Sequence, residues 1–131
     1  MKARRWAMAA GIALLLTPAL GWAQSDALLD NYNRYATLFA QGNFREALPF
    51  AVETFELHKS EFGVDHPTAA VLLANVAELH VEMGRLALAE PLLVEAVLIA
   101  EDALGQGHRT TAVLVGKLAK LYRRQGRYDE A

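Results

Sequence analysis

From about residue 26 onward, apolar residues recur at steps of three and four. Between 67 and 83, Leu72, Leu73, Val76, Ala77, Leu79 and His80 share one broad face. Between 86 and 104, Leu86, Ala89, Leu93, Ala96, Val97, Ala100 and Leu104 do the same. This period predicts amphipathic helices, and the alternation that strands require is missing. Glycine and proline divide the pattern. Gly84 and Gly126 suit the left-handed turn that closes a helix. The run Gly63-Val64-Asp65-His66-Pro67 stops one helix and starts the next, with Asp65 or His66 as the cap and Pro67 in the first turn. Pro49 and Pro91 are expected early in their helices, where few amides have an internal partner.

The pattern repeats. Gly42, Gly84 and Gly126 are 42 residues apart, and each opens a phrase with a bulky apolar residue two positions on and Ala three after that. Pro49 matches Pro91, Gly63 matches Gly105, His66 matches His108, and Thr68 matches Thr110. Aligned without gaps, residues 42–83 and 84–125 agree at 13 of 42 positions. Such a chain folds as stacked helix pairs, because one pair alone cannot hide its apolar face. The expected pairs are about 26–62, 67–104 and 109–131, the last incomplete, giving roughly two and a half repeats. Ala77, Ala89 and Ala119 are expected where helices cross closely, and Phe44, Leu86 and Tyr128 at the corners. Ala36 lies one residue nearer its glycine than Ala77 and Ala119 lie to theirs.

The phrases Val76-Ala77-Glu78-Leu79-His80-Val81-Glu82-Met83-Gly84 and Leu118-Ala119-Lys120-Leu121-Tyr122-Arg123-Arg124-Gln125-Gly126 carry a family resemblance. They resemble the tetratricopeptide pattern L-A-x-L-Y-x-x-x-G followed by x-Y-x-x-A. The long period, the linker from Leu104 to His108 and the run Ala89-Glu90-Pro91-Leu92-Leu93 are similar to the kinesin-light-chain type of that repeat. Arg109 stands where that type has Pro, and Lys117 where it has Asn. The resemblance covers about residues 34–131. It implies an all-α, right-handed superhelical array of antiparallel helix pairs whose first helices line a concave groove. Carried over to this chain, the groove residues are Val71, Ala74, Asn75, Glu78 and Glu82 in one repeat. The next supplies Val113, Gly116, Lys117, Lys120 and Arg124. Asn75 is then a donor and acceptor for a peptide backbone, and Lys117 donates alone.

The first 23 residues read differently. Lys2, Arg4 and Arg5 precede an apolar stretch from Trp6 to Leu20, and Gly21-Trp22-Ala23 provides small residues at a cleavage site before Gln24. This is the form of a secretory signal, and it predicts a periplasmic or secreted protein without stable membrane insertion after cleavage. The alternative is an uncleaved anchor. Cleavage also changes the charge. The formal net charge of −2 becomes −5 when three basic residues are removed, since 10 bases then face 15 acids. Residues 26–102 hold 13 acids and 4 bases, whereas residues 103–131 hold 2 acids and 6 bases. An acidic chain of this kind is a poor nucleic-acid binder.

Candidate chemistry is sparse. The chain has no cysteine, and no two of its four histidines are spaced as metal ligands. His66 and His108 recur with the linker and are expected to serve capping geometry. His58 and His80 are expected to be packed and hydrogen-bonded. Ser25 and Ser60 lack a nucleophile turn, and the acidic pairs read as solvated helix faces. No catalytic, metal or cofactor site is therefore expected. Glu78 and Glu82 on one helix, and Lys120 and Arg124 on the next equivalent helix, are expected to meet across the repeat interface, by direct neutralisation or as a bipolar groove. The expected function is an exported scaffold for a protein or peptide partner in the cell envelope, with self-association through the uncapped end as a further partner mode. The competing expectations are a recruitment arm of a larger exported enzyme and a structural spacer.

Overall fold

The computed structural model describes residues 26–127. Residues 1–25, which include the expected signal, and Tyr128–Ala131 lie outside the described residues. Five helices follow one another: α1 Asp26–Ala40, α2 Phe44–Phe62, α3 Pro67–Glu82, α4 Leu86–Leu104 and α5 Arg109–Arg124. No strand occurs among the described residues. The helices pack most densely as the antiparallel pairs α1–α2 and α3–α4, with α2–α3 and α4–α5 joining successive repeats. The result is an all-α solenoid, and the expected pair bounds 26–62 and 67–104 match the observed elements.

Each helix boundary has a local cause. The helices before Gly42, Gly84 and Gly126 end on a left-handed glycine, with φ of 79°, 77° and 79°. Any other residue would be strained there. At the opposite end of the array, His66 caps α3 and His108 caps α5. Each ring accepts from the backbone two residues on, at 3.2 Å from the Thr68 amide and 3.1 Å from the Thr110 amide. His66, rather than Asp65, is thus the cap. The prolines depart from expectation. Pro49 and Pro91 are each the sixth residue of their helices, beyond the amides that lack partners in any helix. Each deprives a carbonyl, that of Arg45 or Ala87, of its helical donor. Both prolines face outward, where water can replace that donor.

Burial follows the apolar stripes. Ala47, Ala77 and Ala89 are fully buried, as close crossings demand, while Ala119 is half-buried. In α1 the slot equivalent to Ala77 is filled by Tyr35, also buried, while Ala36 is half-exposed beside it. Tyr32, Tyr35, Phe39 and Phe44 form a chain of ring contacts 5.2–5.8 Å apart that fills the first repeat. The last described helix is covered on one side only. Leu114 and Leu121 are buried at 2% exposure, while Leu118 and Tyr122 are half-buried. Val113 and Val115 on the same helix remain exposed.

Candidate functional site: a cleft between α3 and α5

Five of the ten expected groove residues line one cleft. Glu78 and Glu82 come from α3, and Lys117, Lys120 and Arg124 from α5. Val81, Leu93 and Leu121 complete its lining, Leu93 being supplied by α4 behind the two first helices. The cleft measures about 110 Å³. Pockets for whole small molecules run to ~300–1,000 Å³, so this one fits a single inserted side chain. The apolar floor was not foreseen. Leu93 and Leu121 sit on their helices' buried stripes, and nothing in the periodicity distinguishes a core leucine from one at the bottom of a cleft.

The remaining expected residues lie elsewhere. Ala74 is buried within the core and does not line the cleft. Val71 and Asn75 are half-buried about two turns and one turn before Glu78, respectively. The Asn75 amide makes no side-chain hydrogen bond among the described residues, so its donors and acceptor are unused. Val113 is exposed at the start of α5. Gly116 is exposed, and a Cβ there would meet nothing within 4 Å, so packing does not require its smallness.

The charge pairing differs from expectation. Glu78 was expected opposite Lys120, yet its Oε1 accepts from Lys117 Nζ at 2.6 Å. Glu82, Lys120 and Arg124 have no ion-pair partner among the described residues. The cleft thus holds one closed pair and three unpaired charges, an acid and two bases, with a formal sum of +1. Glu78 also bears on α1: burial and then the Glu78 charge push the Tyr35 hydroxyl pKa well above its ordinary value, with a smaller push from Tyr32. Beyond the cleft, Arg127 ties the end of α5 back to α4. Its Nη1 lies 2.6 Å from Glu90 Oε1, and the guanidinium stacks 4.6 Å from the Tyr122 ring centre.

The histidines were expected to be packed and bonded. His58 is fully buried against Phe62 and His66, but neither ring nitrogen has a hydrogen-bond partner. Its pKa is lowered to about 4, first by burial and then by His66. His80 is half-buried, and burial followed by the Arg85 charge lowers its pKa. Among the described residues no three His, Asp or Glu side chains are grouped to hold a metal. No described helix is long and apolar enough to cross a membrane.

The tetratricopeptide repeat profile matches residues 27–97 and again residues 68–131. The two matches start 41 residues apart, one period to within a residue, and together span the whole helical region. The chain belongs to the tetratricopeptide repeat family. No curated protein matches it. Tetratricopeptide repeats generally mediate protein–protein interaction, and the scaffold is generally non-enzymatic. Here α1, α3 and α5 are the first helices of successive repeats and α2 and α4 the second helices. The cleft therefore lies between the first helices of the second and third tetratricopeptide repeats.

Proposed function

We propose that this tetratricopeptide repeat protein is an exported scaffold that holds an extended protein segment across α3 and α5. One observation carries the reading: a side-chain-sized apolar cleft stands among three charges that have no ion-pair partner among the described residues. Exposed charges without partners add little to stability. Arranged around an apolar pocket, they can orient a ligand instead. The inserted residue rests on Val81, Leu93 and Leu121. An acidic flank of the ligand meets Lys120 and Arg124, and a basic flank meets Glu82. The free Asn75 amide, lower on α3, is placed to accept from and donate to the ligand backbone.

The kinesin-light-chain type of the repeats is part of the same reading, supported by the 42-residue period and the long linkers. Export is supported by the basic, apolar and small-residue regions of residues 1–23. The partner is then a protein of the periplasm or cell exterior. Expression of the full chain in a bacterial host, followed by N-terminal sequencing, checks export: a mature chain beginning at Gln24 in the envelope fraction is expected. A display library of short peptides checks the cleft. Selected peptides are expected to pair an apolar residue with a neighbouring carboxylate, and the double substitution Lys120→Glu/Arg124→Glu is expected to abolish their enrichment. Equal enrichment by both proteins would refute the cleft as the binding surface.

A further inference from the structure

At the end of the array remote from the cleft, three aromatic rings close the corner between α2 and α3. His58 is fully buried, 4.8 Å from the Phe62 ring centre and 5.0 Å from that of His66. Phe62 and His66 are themselves 5.5 Å apart. His66 is the cap of α3, and its Nδ1 must be unprotonated to accept from the Thr68 amide. A protonated ring cannot accept there, and its charge opposes the positive end of the helix. His58 has no acceptor for an added proton, since both nitrogens are sealed without partners. The corner is therefore built from two rings that fit only when both are neutral.

We propose that the α2–α3 corner is an acid-sensitive joint between the first two repeats, closed by neutral His58 and His66 and opened when these rings take up protons. The surroundings favour this outcome. Antiparallel layering brings Asp26 and Asp30 of α1, Glu61 of α2, Asp65 of the connection, and Glu101 and Asp102 of α4 to the same end of the array. None of these carboxylates forms an ion pair with either ring. On α2 the nearby Lys59 is engaged with Glu56. The ionisable side chains of α3, namely Glu78, His80 and Glu82, stand at its far end. His66 is the one group whose charge bears on His58, and it disfavours protonation of the closed form. Burial also lowers the His66 pKa.

The sign follows. A histidine held below its unfolded value supports the closed state fully above about pH 6.5 and loses that support as pH falls toward 4. At pH 5, a ring with pKa about 4 when closed and about 6.5 when open shifts the opening equilibrium about 30-fold from His58 alone.

The joint differs from general acid unfolding in being local. Amide exchange of the full chain is measured at pH 7 and pH 5, corrected for intrinsic rates, in wild type and in His58→Phe/His66→Asn. Asn keeps a cap that does not titrate. Wild-type protection of residues 68–72 is expected to fall at least 10-fold more than that of 110–114, and the double variant to hold it. Equal loss in the variant, or an equal loss at both corners of the wild type, would overturn the joint. In case the double variant does not fold, ring titration of wild-type His58 by NMR decides alone: ordinary titration near 6.5 would overturn the proposal, and titration near 4 coupled to movement of the Thr68 amide supports it.

Discussion

Whether Lys120 and Arg124 are free for a ligand depends on Glu78 being occupied by Lys117. A double-mutant cycle tests this directly. The perturbations are Glu78→Gln, Lys117→Gln and Lys120→Gln, singly and in the pairs that include Glu78. Glu78 and Lys117 are 33% and 39% exposed and lie at 2.6 Å. A pair that accessible to water is screened, so the geometry supports a coupling of about 0.5–1 kcal/mol, well below that of a dry pair. Lys120 makes no ion pair, so its coupling to Glu78 is expected within about 0.3 kcal/mol of zero. In a domain of about 100 residues the Glu78–Lys117 coupling corresponds to roughly 2–8 °C in midpoint. Urea unfolding followed by circular dichroism at 50 mM and 500 mM salt measures it. The coupling should shrink at high salt without vanishing, because the pair is partly shielded. A Glu78–Lys120 coupling equal to or larger than Glu78–Lys117 would refute the arrangement of the cleft and return both cations to a structural role.

Other outcomes are open to the same measurements. Ala89→Leu forces extra atoms into a fully buried crossing and should cost about 1–3 kcal/mol; the same change at half-buried Ala119 should cost less, and no difference between them would count against the crossing geometry. Pro91→Ala restores an amide donor to the Ala87 carbonyl and should stabilise the array by about 2 kcal/mol, after subtracting the entropy that alanine returns to the unfolded chain; a loss of stability in urea unfolding would refute this. The double reversal Lys120→Glu/Arg124→Glu removes no ion pair. It should shift the unfolding free energy by less than about 0.5 kcal/mol. A loss beyond 1 kcal/mol would assign both cations to folding.

The helices were legible because their signals are local. Glycines in left-handed turns, histidine caps and an apolar period of three to four residues each act within one turn of chain. The pair boundaries could therefore be placed from residue 26 to 104. Features that depend on two helices meeting were harder to place. Tyr35 fills a slot that alanine holds in the other repeats, and the rings of Tyr32 and Phe39 pack around it. The resemblance places Ala74 in the groove, yet so small a residue also permits the close approach that buries it. His58 occupies the slot of Ala100, and a ring there displaces no polar partner toward itself. Its missing hydrogen bonds depend on what Phe62 and His66 exclude.

The Glu78 partner shows most clearly why repeat equivalence does not predict contact. Residues one period apart occupy the same place on their own helices, so they point in the same direction. A residue touches its neighbour in the next repeat across opposite flanks of two helices. Here the contacting pairs are separated by 39 residues for Glu78–Lys117 and 37 for Glu90–Arg127, three and five short of the 42-residue period. Three residues back along α5 is a rotation of 60° and a drop of about 4.5 Å, enough to carry a side chain from one face of the helix to its flank. Lys117 is therefore spent on the interface, while Lys120 and Arg124, which share the face of Glu78 and Glu82, stay over the cleft. The same offset that defeats pairing by alignment separates the charges that hold the repeats together from those left to meet a partner.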